Sequence, residues 1–296
     1  MKKKYTMLSD VSFLNSNCKD PVQFKKYFDE GLFSDETKWQ QFVLNAEIPG
    51  VLDAIKSRMK YSMSKLSLGV YNVLENGPGK NITSEEEIYL FTGFAEIETV
   101  SRIGTTIMLK NASLPPAVFP NSVHHISLCY FTILKKLTSY NAAVIDGLLT
   151  NLSFIHFMKY RVCLPEPFVV VSGEESSNYF DLDLNHHLNI VTSLVSFRVN
   201  PLTEKGFYFC GEASSLEEIK DSASYQEAIH VFTDKITFPE LKNEKEGKVY
   251  TEYPFVIDNP CAVAYRLAMP FYLDLHGKSI IIEKSLGKYY YYEVNL

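Results

Sequence analysis

Apolar residues recur at helical spacing at Ile55, Met59, Met63, Leu66, Val70 and Val73, and predict an amphipathic helix from Val51 to Leu74. It closes at the breaker Glu75-Asn76-Gly77-Pro78-Gly79. Ahead of it, the text from Phe24 to Arg58 is polar and helix-like around Trp39, with a turn at Pro49-Gly50, and reads as an entry region of short helices. The short apolar run Glu87 to Thr92 is bounded by polar residues and glycine, as a strand buried in a layered sheet should be. A helix follows at Glu96 to Leu109, then a proline-bearing loop at Leu114 to Pro120, then a second apolar helix from about Ser122 to Lys136. Next come a strand at Asn141 to Ile145, a tight Asp146-Gly147 junction, a helix at Leu148 to Tyr160 and a strand at Phe168 to Ser172. This alternation predicts an α/β layered sheet. The text turns charged between Ser214 and Lys248, which predicts an irregular, exposed and mobile excursion over about 214–250. After it, a helix from Cys261 to about Leu275 ends at His276-Gly277, and Ser279 to Glu283 with Tyr289 to Val294 form a hairpin around Leu286-Gly287-Lys288. No internal repeat is visible.

At 296 residues, 46% hydrophobic and 22% charged, the chain can bury one large core, and a single domain over 1–296 is expected. Its net charge of −6, from 29 basic and 35 acidic side chains spread along the text, argues against nucleic acid as a partner. Cys18, Cys129, Cys163, Cys210 and Cys261 lie too far apart for a disulfide framework, and no Cys/His spacing suits zinc, so reduced thiols and no metal or cofactor are expected. The start Lys2-Lys3-Lys4 imitates a signal peptide, but Ser9-Asp10 interrupts the apolar segment that should follow. No stretch reaches about 20 apolar residues, so a cytoplasmic protein without membrane insertion is expected.

The run Phe119 to Ile133, with Asn121-Ser122-Val123-His124-His125 at its centre, resembles the stretch of β-ketoacyl synthase-like proteins in which a proline loop enters a helix. Ile48-Pro49-Gly50 with Lys56-Ser57-Arg58-Met59 resembles that family's entry to its first helix, and Leu90-Phe91-Thr92-Gly93 followed by Glu96 resembles its first strand and turn. Phe168 to Glu175 resembles the strand with an acidic end that follows the nucleophile helix. The resemblance spans about residues 48 to 200 and implies a layered αβαβα thiolase-like fold, trimmed in the C-terminal half. Order and spacing carry it rather than one motif.

In that family the strand before the elbow runs into a cysteine, and the following helix N-terminus stabilises its thiolate. Here the elbow falls on Asp146 and Gly147, and neither supplies a thiol. Asp146 reads as a helix N-cap in preference to an aspartyl nucleophile. The family's two histidine functions have no counterpart motif either: Asn259-Pro260-Cys261-Ala262 stands where a glycine-rich segment belongs, while His186, His187, His230 and His276 read as surface or helix-end residues. His124 and His125 face about 100° apart on a helix, which suits an interface or a cap better than a metal. Asn76-Gly77-Pro78-Gly79-Lys80 lacks phosphate-loop spacing and reads as a turn.

The resemblance thus implies a subunit of chain-length-factor type with no catalytic residue of its own. It would pair across Tyr140 to Ile145 with an active ketosynthase or with itself; the active subunit would condense thioesters of an acyl carrier protein in fatty-acid or polyketide-like pathways of the aryl polyene and resorcinol kind, while this chain stabilises it and limits product length. Asn121, His124, His125, Tyr130, Phe131, Tyr140, Asn141 and Leu148 would line the partner's tunnel or the interface. Two alternatives stay open: an acyltransferase or hydrolase of the same fold using a residue other than cysteine, and a scaffold that touches no acyl chain.

Overall fold

The computed structural model describes residues 3–15, 63–108, 123, 125–174, 193–233, 237–242, 248–252, 261–273 and 275–296. The expected entry helices, the loop at 114–120, Cys18, Asn121, His124, His186, His187 and Asn259-Pro260 lie outside these residues.

Ten strands form one mixed array in the order β3-β2-β4-β5-β1-β6-β10-β9-β7-β8. In the first half these are β1 (Tyr5–Asn15), β2 (Glu87–Thr92), β3 (Asn141–Ile145), β4 (Phe168–Glu174) and β5 (Ser193–Thr203). In the second they are β6 (Gly206–Ala213), β7 (His230–Thr233), β8 (Val249–Glu252), β9 (Lys278–Ser285) and β10 (Lys288–Asn295). Within the first half β3, β2 and β4 run parallel and β5 antiparallel to β4 and β1. The second half repeats this arrangement strand for strand, with β8, β7 and β9 parallel and β10 antiparallel to β9 and β6. The chain therefore contains a duplicated topology, which the sequence does not display because a repeated strand order requires only matching burial patterns. The expected trimming of the C-terminal half spares all five of its strands.

The halves meet at a narrow seam, where β1 and β6 share the single pair Thr6 and Phe207. Gly206, at φ +130°, makes the close approach possible, because a Cβ there would run into the backbone of Thr6 and Met7.

Helices fill three layers around the strands. Helices α1 (Lys65–Asn76) and α3 (Ile126–Lys135) cover the outer face of the first half through Leu66, Val70, Leu74, Leu128 and Phe131. Ser64 caps α1 through the Ser67 N–H at 3.0 Å. Between the halves lie α4 (Thr150–Arg161) and α8 (Ala262–Tyr272), packed on Phe91, Phe168 and Phe197 from one side and Phe232, Ile281 and Tyr292 from the other. Every residue of α8 from Ala262 to Pro270 is buried, including Arg266, whose guanidinium is paired with Glu283 of β9. Burying a charge at such depth is tolerated only with a partner. The outer face of the second half carries α5 (Leu216–Lys220), α6 (Ala223–Glu227) and α7 (Phe238–Lys242). Helix α2 (Ile97–Met108) lies between β2 and α3 in the chain.

This is the expected αβαβα layering, with differences at particular places. The stretch expected to be irregular after Ser214 holds two short helices capped by Ser215 and Ser222, the buried strand β7 and helix α7. Leu216, Ile219, Tyr225, Val231 and Leu241 form an apolar cluster beneath its charged surface. The run Ser9-Asp10, expected to break an apolar segment, lies inside β1. Asp10 takes φ +52° at a register shift and pairs with Arg198 of β5, so a polar residue interrupts the pattern without ending the strand. Residues 78–81 form a one-turn 3-10 helix, the expected turn, with Gly79 pressed against Leu74 and the Phe131 ring.

Candidate active site and elbow

Because β2, β3 and β4 are parallel, their carboxyl ends emerge together, the usual place for a site in such sheets. There β3 ends at Ile145 and the chain turns through a 3-10 turn, Gly147–Leu149, into α4. Gly147 takes φ +54°, a conformation that costs other residues about 1–2 kcal/mol. A Cβ there would meet nothing within 4 Å, so the elbow is open in front of this residue.

Three backbone N–H groups of the elbow are already engaged. Gly147 N–H donates to the Gly93 carbonyl at 3.1 Å, and Leu149 N–H to the Asp146 carbonyl at 3.0 Å. Asp146 N–H donates to Thr150 Oγ1 at 3.3 Å, and the buried Thr150 hydroxyl has the carbonyls of Gly147 at 2.9 Å and Thr92 at 3.3 Å as acceptors. An oxyanion at this elbow would find the N–H of Gly147 turned inward. The Asp146 carboxylate makes no capping bond. It is exposed and accepts from the Ser153 hydroxyl at 2.5 Å, which corrects the N-cap expectation. A side chain cannot satisfy the helix's first N–H groups once a 3-10 turn moves them a further three residues along.

One residue deeper lies Glu174, at the end of β4, with 1% of its surface exposed. Its carboxyl receives the Thr92 hydroxyl at 3.0 Å, the Gly93 N–H, the Phe94 N–H at 3.3 Å and the Cys261 thiol at 3.3 Å. Burial pushes this carboxyl up to about 7 against the pull of those donors. Cys261, entering α8 from the second half, has the Phe91 carbonyl at 3.4 Å as another acceptor, and burial holds its thiol well above the ordinary range. The two central helices also touch here: Val263 N–H, in the first turn of α8, donates to Asn151 Oδ1 of α4 at 3.0 Å. Beside this cluster the Ser127 hydroxyl donates to the buried Glu96, and Ser67 and Ser64 continue the chain of hydroxyls at 3.0 and 2.9 Å.

The expected site residues separate into two groups. Asp146, Gly147 and Leu148 sit together at the elbow, and Tyr140 and Asn141 open β3. Among the described residues β3 pairs only with β2, and Tyr140 and Leu148, which flank it in the chain, are 61% and 56% exposed. Leu149, Tyr160, Leu164 and Ile133 are further exposed large apolar residues. His125 occupies the N-cap position of α3 with no side-chain cap bond, and Tyr130 is half-buried. Phe131 has no exposure at all: it packs on Tyr71 at a ring distance of 5.9 Å inside the outer core. His230 opens β7, half-buried, three residues after α6 ends, and burial lowers its pKa, whereas His276 is exposed after α8. No group of three or more metal-ligating side chains occurs among the described residues, and none of their helices is long and apolar enough to cross a membrane. Sequence reasoning noted the acidic end of β4 but had no means of joining Glu174 to Cys261, 87 residues away.

No protein-family model and no curated protein sequence matches the chain. Solved structures do. The complex of a ketosynthase with its chain length factor from Xenorhabdus doucetiae matches with a TM-score of 0.64 at 10% identity, over 98% of this chain and 99% of that chain. A type II PKS acyl carrier protein in complex with its ketosynthase bound to the hexaketide matches at 0.66 and 11%, over 99% and 100%. A β-ketoacyl synthase from Burkholderia phymatum matches at 0.62 and 9%, over 99% and 100%. The chain has the thiolase-like fold of the ketosynthases.

Proposed function

We propose that this chain is a non-catalytic ketosynthase-like subunit of chain-length-factor type, which pairs with an active β-ketoacyl synthase in polyketide-like or fatty-acid biosynthesis of the aryl polyene or resorcinol kind. The observation that carries this reading is the elbow. Its turn and helix are intact, yet Gly147 stands at the apex and its N–H is bound to Gly93. Condensation by this fold needs a nucleophile and an oxyanion donor at that point, and this elbow offers neither. The open edge of β3, with the exposed Tyr140 and Leu148 flanking the strand in the chain, supports pairing through that edge, as does the likeness to ketosynthases solved with a chain length factor or an acyl carrier protein. In the pair this chain would limit product length with Tyr130 and Leu148, since Phe131 is committed to the core.

Co-expression with a cysteine-bearing ketosynthase encoded beside it tests the reading. The expected result is a stable heterodimer in which an acyl thioester labels the partner's cysteine and leaves this chain unmodified by mass spectrometry. An acyl adduct on this chain, or a stable monomer with acyl-transfer or thioesterase activity, would overturn it.

A further inference from the structure

Glu174 accepts from four donors: Thr92 Oγ1, Gly93 N–H and the Cys261 thiol at Oε1, and Phe94 N–H at Oε2. An ionised carboxylate only accepts, and it serves all four. A neutral carboxyl must place a proton on one oxygen. Three donors crowd Oε1, so the proton goes to Oε2, where it opposes Phe94 N–H across the longest of the backbone contacts, 3.3 Å. The thiol of Cys261 has the Phe91 carbonyl as a second acceptor and turns to it as the carboxyl loses charge.

We propose that Glu174 is a proton-controlled latch. Ionised, it ties the turn at Gly93 and Phe94 in the first half to helix α8 of the second; protonated, it slackens both the Phe94 and the Cys261 ties. The turn is linked onward to the elbow, because the Gly93 carbonyl accepts from Gly147 N–H, and Thr92 Oγ1 also holds Ala95 N–H at 3.1 Å with Ala95 at φ +50°. A change at Glu174 therefore reaches Gly147 through one peptide unit.

Burial brings the carboxyl to about 7, so both states are populated near neutrality. From α8 the titratable neighbour is Cys261, whose buried thiol stays protonated and remains a donor throughout. From β2 and its turn, Thr92, Gly93 and Phe94 face it without charge, and together with burial and the Cys261 thiol they are the leading causes of its shift. Asp146, the acid of the elbow, points outward to Ser153. This inference stands independently of the pairing proposed above.

Amide chemical shifts of Gly93, Phe94 and Gly147 in the full chain, followed by NMR from about pH 5 to about pH 9 together with the Glu174 side-chain carboxyl carbon, test the latch. The expected result is one shared midpoint near pH 7 for the carboxyl and the three amides. In Glu174→Gln the amide transition should vanish, and in Cys261→Ser, where a stronger donor favours the charge, it should move to lower pH. Should Glu174→Gln fail to fold, the wild-type titration and Cys261→Ser decide. A carboxyl midpoint near that of an ordinary glutamate, or amides that stay flat while the carboxyl titrates, would overturn the proposal.

Discussion

Replacing Glu174 with Gln removes one titrating proton from the interior while leaving a side chain of nearly the same shape. A carboxyl whose folded pKa lies above its unfolded value takes up a proton on folding. Its contribution to stability is then complete below the unfolded value of 4.5 and is lost as pH rises through the folded value of about 7. The whole shift corresponds to about 3.4 kcal/mol at about 1.36 kcal/mol per pH unit, and integrating between pH 5 and pH 8 leaves about 2.5 kcal/mol. Urea unfolding followed by circular dichroism at those two pH values measures it. Wild type should lose about 2.5 kcal/mol more than Glu174→Gln on going from pH 5 to pH 8. Comparing the two proteins cancels other titrations, such as that of His230, whose pKa is lowered by burial. Glu293 is silent over this range: burial works against its charge, but Ser224, Tyr5 and Lys3 hold it down to about 2. Equal pH slopes in both proteins, or a variant whose relative loss is greatest at pH 8, would refute the reasoning.

Other expectations rest on separate parts of the molecule. Glu283→Gln removes the carboxylate that pairs with the buried Arg266 guanidinium and should cost about 3–5 kcal/mol in urea unfolding, whereas the double change Arg266→Met with Glu283→Leu should recover most of the loss. Gly147→Ala should cost only about 1–2 kcal/mol, because its Cβ meets open space and the backbone conformation alone resists it; a larger drop in thermal midpoint would mean the elbow is closed. If the proposed pairing holds, Tyr140→Lys, a charge placed just before edge strand β3, should abolish co-purification with a co-expressed ketosynthase while leaving the unfolding midpoint unchanged.

The parts of the fold that were legible in the sequence are those where one local rule dominates. Strands β2 and β3 begin and end at the expected residues because polar residues or glycine bound a short apolar run. Helix α4 starts at Thr150 rather than Leu148, since the Thr150 hydroxyl stabilises an intervening 3-10 turn that no apolar period signals. Strand β1 escaped notice because Asp10 sits in its middle, and the reason it can, the Arg198 guanidinium, is 188 residues away. At the site, the absent thiol at the elbow is a matter of residue identity and could be read directly. The convergence of Thr92, Gly93, Phe94 and Cys261 on Glu174 depends on four chain segments meeting, and the duplicated strand order depends on pairing alone. Neither leaves a periodic trace.

The position of β1 bears on how the protein is made. Its neighbour is β5, with Tyr5 opposite Thr203, so the strand has no partner until about 180 further residues have been synthesised. At about 5–20 residues per second that is on the order of 10–40 s on the ribosome. Throughout this time Leu8 and Phe13, core residues in the finished fold, are exposed on a nascent chain. Such a long-unpaired apolar strand is a place where a holding chaperone would be expected to engage.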